Sequence, residues 1–216
     1  MDDAEEMPTI NFPQVPEMDS SNDYEWNYSM RREMQEILPG IFLGSYAAAT
    51  KKMLSYLEGN GITHIVCVRH PMEAKAIKAN FPQIIQYMVI DLDENIGESL
   101  IPYFPMVKGF IDNCLNNQGH VLVHDTAGIS LSATLVIAYL METYGIEYNQ
   151  AYKLVQQKRL CAHPSMLYKQ QLLDYEAIYK AKRQVVVNTD QGAKRLRVDV
   201  DEEMSVDFPN KSTKLK

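Results

Sequence analysis

The segment His124-Asp125-Thr126-Ala127-Gly128-Ile129-Ser130-Leu131-Ser132 is the stretch of this chain best placed to handle an anion. It follows an apolar run, Val121-Leu122-Val123, and leads into an apolar helical pattern from Ser130 to Tyr144, so it forms the turn between a strand and a helix N-terminus. A glycine-bearing turn at that place aims successive backbone N–H groups at one point, and the helix dipole adds positive potential; together they cradle phosphate. Two residue types in the segment work against that use. Asp125 repels a phosphate dianion: at about 4 Å and an effective dielectric near 20, each pair of unit charges costs on the order of 4 kcal/mol. The whole binding free energy of a millimolar complex is about 4 kcal/mol. Leu131 has no hydrogen-bond donor where a charged one would contribute roughly 1.5–3 kcal/mol per bond. The expectation is that the Asp125 carboxylate fills the anion's place against the Ala127-Gly128-Ile129 N–H groups. His124 reads as a buried strand-end residue that hydrogen-bonds the loop.

The elements that must hold this segment are legible from periodicity. Ile37 to Gly44 suggests a turn and a short strand, and Ala47 to Leu57 has helix-forming composition ended by Gly59-Asn60-Gly61. Ile62-Thr63-His64-Ile65-Val66-Cys67-Val68 is a β-branched run of strand length, as expected for a strand covered on both faces, and Tyr87 to Ile90 is another short strand. Leu100, Phe104, Val107, Phe110, Ile111 and Leu115 recur at helical spacing up to Gly119. Two further helices are expected, Tyr148 to Arg159 and Pro164 to about Arg183. Strands alternating with helices predict an α/β fold, a central mostly parallel twisted sheet flanked by helices.

The 216 residues suit one ordinary domain, and 46% hydrophobic with 23% charged residues match globular usage. Residues 1–23, acidic and carrying Pro8, Pro13 and Pro16, read as a flexible arm; the domain spans 24–183; and 184–216 reads as a disordered charged tail around Lys194-Arg195-Leu196-Arg197. The acidic start is unlike a signal peptide, and no run of 18 apolar residues offers a membrane span. Cys67, Cys114 and Cys161 are odd in number and far apart, so neither a disulfide framework nor a zinc site is expected. The net charge of −7 disfavours nonspecific attraction to nucleic acid or acidic membranes.

At the loop the sequence resembles the signature of cysteine-dependent dual-specificity protein phosphatases, which reads His, Cys, five residues, Arg, then Ser or Thr. The resemblance puts Asp125 at the nucleophile position and Leu131 at the phosphate-clamp position, while His124, Gly128, Ser130 and Ser132 match. About thirty residues upstream, where the family carries a general acid, Glu94 stands within Asp91-Leu92-Asp93-Glu94-Asn95. Outside the loop, Met30 to Gly44, Gly61 to Cys67 and Ile137 to Thr143 resemble a pseudophosphatase branch of the same family, over roughly Tyr24 to Lys182. That branch replaces the cysteine with glycine but keeps the arginine, so this chain departs further.

The resemblance implies a dual-specificity phosphatase-like fold and an inactive regulatory binding protein of phosphorylation signalling, in nucleus and cytoplasm, without cofactor or metal. It implies mitogen-activated protein kinases and F-box proteins of ubiquitin ligases as partners, and neither nucleic acid nor membrane. Arg31-Arg32 and Lys51-Lys52 are candidate contacts for acidic partner surfaces. The competing reading is a weak phosphohydrolase with Asp125 as nucleophile, although a carboxylate is a poor nucleophile toward phosphorus beside a thiolate. A third is a structural relic without partners.

Overall fold

Runs of β-branched and aliphatic residues with no polar face become the middle of a five-stranded sheet. Strand β1 covers Met34–Leu38, β2 Ile41–Ser45, β3 Ile62–Arg69, β4 Gln86–Asp91 and β5 His120–Asp125. In this computed structural model of the chain the described residues are 12–16, 26–93 and 98–182. The strand order is β1-β2-β5-β3-β4. Every pairing is parallel except that of β1 with β2, which is an antiparallel hairpin turned at Pro39-Gly40. Gly40 has φ +78, which explains the glycine at that turn. The centre of the sheet is dry: Ile65, Val66, Cys67 and Val68 of β3 and Val121, Leu122 and Val123 of β5 are fully buried. Such strands need helices on both faces.

Those helices are α1 at Leu54–Gly59, α2 at Tyr103–Asn116, α3 at Leu131–Tyr144, α4 at Tyr148–Lys158 and α5 over residues 166–182. Helix α3 is buried at every residue from Leu131 to Met141, so it is the central helix of its layer, against β5, α2 and α4. It ends at Gly145 with φ +66, where a side chain would also collide with the Phe12 ring at 2.3 Å. Phe12 therefore lies against the end of α3, within the segment expected as an arm. Phe12–Ile178 gather into one unit, outside which lie the described residues 179–182 at the end of α5.

The expected α/β class and mostly parallel sheet match the observed architecture. Two element expectations need correction. The turn and short strand read over Ile37 to Gly44 are Pro39-Gly40 and β2, and a strand that was not expected, β1 at Met34–Leu38, adds the antiparallel edge. The helix expected over Ala47 to Leu57 is instead two 3-10 turns, Tyr46–Ala49 and Lys51–Met53, followed by the short α1. Thr50 causes the break: it sits extended at φ −74 and ψ 158, and its hydroxyl bonds the Ala47 carbonyl, competing with helix propagation. The expected terminal arm is described at residues 12–16, and the charged tail lies outside the described residues.

Candidate functional site

Asp125 is the last residue of β5, and α3 begins six residues later at Leu131, so the turn between them is short and its backbone is forced to fold around one centre. Gly128 makes this possible with φ +69; a Cβ there would stand 2.3 Å from the Gly44 carbonyl oxygen and 2.6 Å from Arg159 Nη2. The centre of the turn is occupied by the turn's own first side chain. Asp125 Oδ1 accepts from the Ala127 N–H at 2.7 Å and from the Gly128 N–H in a shorter contact. Asp125 Oδ2 accepts from both the N–H and the hydroxyl of Ser132, each at 3.0 Å, so Ser132 at the start of α3 takes the place expected for the Ile129 N–H. Asp125 is buried, 6% exposed. It thus takes four donors and lies at the N-terminus of α3, where the helix dipole favours a negative charge.

The outer side of the turn is fixed by a residue that the sequence did not single out. Arg159, just past α4, is fully buried. Its Nε donates to the Gly128 carbonyl at 2.7 Å and its Nη2 to the Ala127 carbonyl at 3.2 Å. The same guanidinium donates to the carbonyls of Arg31 at 2.9 Å and Glu33 at 3.1 Å, and closely to the Gln35 side-chain oxygen. Burial pushes its pKa down, opposed by the charge of Asp125 nearby. One planar donor group therefore ties the loop, β1 and the 3-10 helix Tyr28–Arg32 together. A lone arginine behind an amphipathic helix carries no sequence signal of this role. The next residues brace the loop from another side: His163 N–H donates to the Ile129 carbonyl at 2.7 Å and Ser165 N–H to Ser130 Oγ at 3.2 Å.

A cavity of about 330 Å³ opens over the turn, lined among others by Val68, His70, Glu73, Thr126 and Leu131. Its rim is acidic. The Thr126 hydroxyl is 3.0 Å from both oxygens of Glu73, and His70 Nε2 is 3.0 Å from Asp93 Oδ1. The Leu131 side chain offers this cavity no donor, and Glu94 lies outside the described residues. His124 is fully buried, with Nδ1 3.4 Å from the Asp125 carbonyl and its ring 5.8 Å from that of Tyr46. Burial holds its pKa down to about 4, so it stands neutral at pH 7. The cysteine nearest in the sheet is Cys67, paired with His124 across β3 and β5; burial pushes its thiol up to about 12. A protonated, fully buried thiol supplies no replacement nucleophile.

The sequence-derived loop residues His124 through Ser132 are therefore brought together, with the anion position already filled and the clamp position apolar. Residues 41–178 match the catalytic domain of the dual specificity phosphatases. Over 173 residues, 80% of this chain and 77% of each relative, the sequence is 51% identical to the serine/threonine/tyrosine-interacting proteins of Mus musculus and Homo sapiens. It is 34% identical over 145 residues to dual specificity protein phosphatase 1B of Arabidopsis thaliana, covering 67% of this chain and 83% of that one. Among solved structures, that of the human tyrosine phosphatase-like serine/threonine/tyrosine-interacting protein superposes with a TM-score of 0.67 at 53% identity, covering 68% of this chain and 98% of the other.

Proposed function

The chain belongs to the dual specificity phosphatase family, and within it we propose that this protein is a pseudophosphatase: a regulatory binding protein of phosphorylation signalling that does not hydrolyse phosphoesters. The observation that carries the reading is the Asp125 carboxylate on the N–H groups of Ala127, Gly128 and Ser132. Those donors are the ones an incoming phosphate would need. Any phosphoester approaching meets a like charge and no guanidinium from position 131, so ground state and transition state are both left without stabilisation. The serine/threonine/tyrosine-interacting relatives support a role in binding other proteins. By that resemblance the partners are mitogen-activated protein kinases and F-box proteins of ubiquitin ligases, met in nucleus and cytoplasm, with neither nucleic acid nor membrane involved.

The alternative chemistry, hydrolysis through an Asp125 nucleophile, is disfavoured by the same geometry. Both carboxylate oxygens are already engaged as acceptors inside the turn, and in-line attack requires one to leave its donors. Purified protein assayed with an aryl phosphate, with and without Mg²⁺, separates the two readings. No turnover is expected; turnover abolished by Asp125→Asn overturns the inactive reading. Affinity capture from cells is expected to recover a kinase or an F-box protein, and recovery of neither speaks against those partners.

A further inference from the structure

A second cleft, of about 650 Å³, opens on the other side of the turn, lined by Tyr28, Ser29, Arg31, Arg32, Ser45, Ala47, Thr126 and Ala127. Thr126 and Ala127 line both cavities, so the two lie side by side, separated by the loop. Their charge is opposite. The first is lined by Glu73 and Asp125, whereas the second is lined by Arg31 and Arg32.

Neither guanidinium makes an ion pair among the described residues. Arg31 donates to the Tyr28 hydroxyl at 3.2 Å and lies 5.9 Å from the centre of that ring, and Tyr28 is 75% exposed. The main chain of both residues is anchored. The Arg31 carbonyl accepts from Arg159, and the Arg32 carbonyl accepts from Ser45 Oγ at 3.0 Å. Arg159 holds the two walls of the cleft, the 3-10 helix and the loop, to one another, so the cleft is formed before any ligand arrives. The Asp125 carboxylate on the same turn offsets the buried charge of Arg159, so the positive charge of the cleft is that of Arg31 and Arg32.

We propose that this cleft binds a phosphomonoester carried on a side chain of a partner protein, with Arg31 and Arg32 as its ligands. The proposal deepens the reading of a non-hydrolysing binding protein and rests on it: the phosphate that the family's loop would take is refused there and is held next door. Two forked donors match the three oxygens and roughly −2 charge of a phosphomonoester better than the single charge of a carboxylate. The cleft volume falls in the range of ordinary small-ligand sites, roughly 300–1,000 Å³, and the exposed Tyr28 ring offers a flat apolar surface beside the guanidinium groups.

The test is a fluorescence-anisotropy titration of the full chain with a labelled Gly/Ser-rich peptide bearing one central phosphotyrosine, a second bearing phosphoserine, and matched peptides with tyrosine or glutamate. Saturable binding of at least one phosphopeptide is expected, about tenfold or more tighter than its tyrosine or glutamate match, weakening with salt. Arg31→Ala with Arg32→Ala is expected to weaken it by at least about tenfold, and Arg31→Lys with Arg32→Lys by less, because lysine keeps the charge without the fork. Lys75→Ala with Lys78→Ala, exposed and outside the cleft, is expected to leave it unchanged. Equal affinity for the glutamate peptide, or full affinity in either arginine double variant, overturns the proposal. So does competition by inorganic phosphate at the concentration of the phosphopeptide, since the site would then take free phosphate. Phosphate released from the peptide during the same titration would contradict the non-hydrolysing reading instead, so the two failures are read separately.

Discussion

Asp125 decides what the loop can do, because one carboxylate satisfies the donors that a phosphate would otherwise use. Its four hydrogen bonds make it a structural anion as well as a block. Asp125→Ala leaves the Ala127, Gly128 and Ser132 N–H groups without their acceptor, and urea unfolding is expected to show a loss of about 1–3 kcal/mol; unchanged or raised stability contradicts the role. His124 carries a pH dependence. Its folded pKa of about 4 lies below the ordinary value near 6.5, so the unfolded chain binds the proton more tightly. Its stabilising contribution is therefore full above about pH 6.5 and is lost as pH falls toward 4, on the order of 3 kcal/mol in all. Unfolding midpoints measured across that window are expected to fall with pH, and to fall less in His124→Asn. An equal slope in the variant assigns the effect to other groups. The place of Asp125 was legible from sequence, since an acidic side chain at the mouth of a glycine turn before a helix has nearby donors to meet. Arg159 was not, because its five acceptors come from residues as distant as Arg31, which no local pattern joins to it.

At the scale of elements, the loop works as a rigid part clamped between β5, α3 and the segment after α4. The fully buried strands were readable because a run without polar residues has no face for solvent. The failed helix over Ala47 to Leu57 shows the limit of composition: a single Thr50 hydroxyl diverted the backbone into 3-10 turns. Strand β1 escaped notice for a different reason. It is an edge element mixing buried and exposed positions, and it is fixed by pairing with β2 and by Arg159 more than by its own pattern. Two substitutions probe the clamp. Gly128→Ala puts a methyl group into the Gly44 backbone at a positive φ and is expected to give little folded protein, read by yield and near-ultraviolet circular dichroism. Arg159→Lys loses the fork that spans loop and β1 and is expected to cost about 2 kcal/mol or more. A Gly128→Ala protein as stable as the parent would mean that the turn has more room than its geometry allows.

Across the whole molecule, the proposed reading is that a phosphatase-like scaffold is retained while internal hydrogen bonding takes the donors of its loop. Folding and binding need the sheet, the helices and the turn; turnover in this family additionally needs a nucleophile and a clamp, and positions 125 and 131 carry Asp and Leu where the family signature has Cys and Arg. The measurement that bears on this most directly is the rate of aryl phosphate hydrolysis by four purified proteins: the natural chain, Asp125→Cys, Leu131→Arg, and the double variant Asp125→Cys with Leu131→Arg. The account predicts no rate above buffer for the natural chain and Leu131→Arg, and activity in the double variant about a hundredfold or more above Asp125→Cys alone. Turnover by the natural chain, or a single Asp125→Cys variant as fast as the double one, would contradict it.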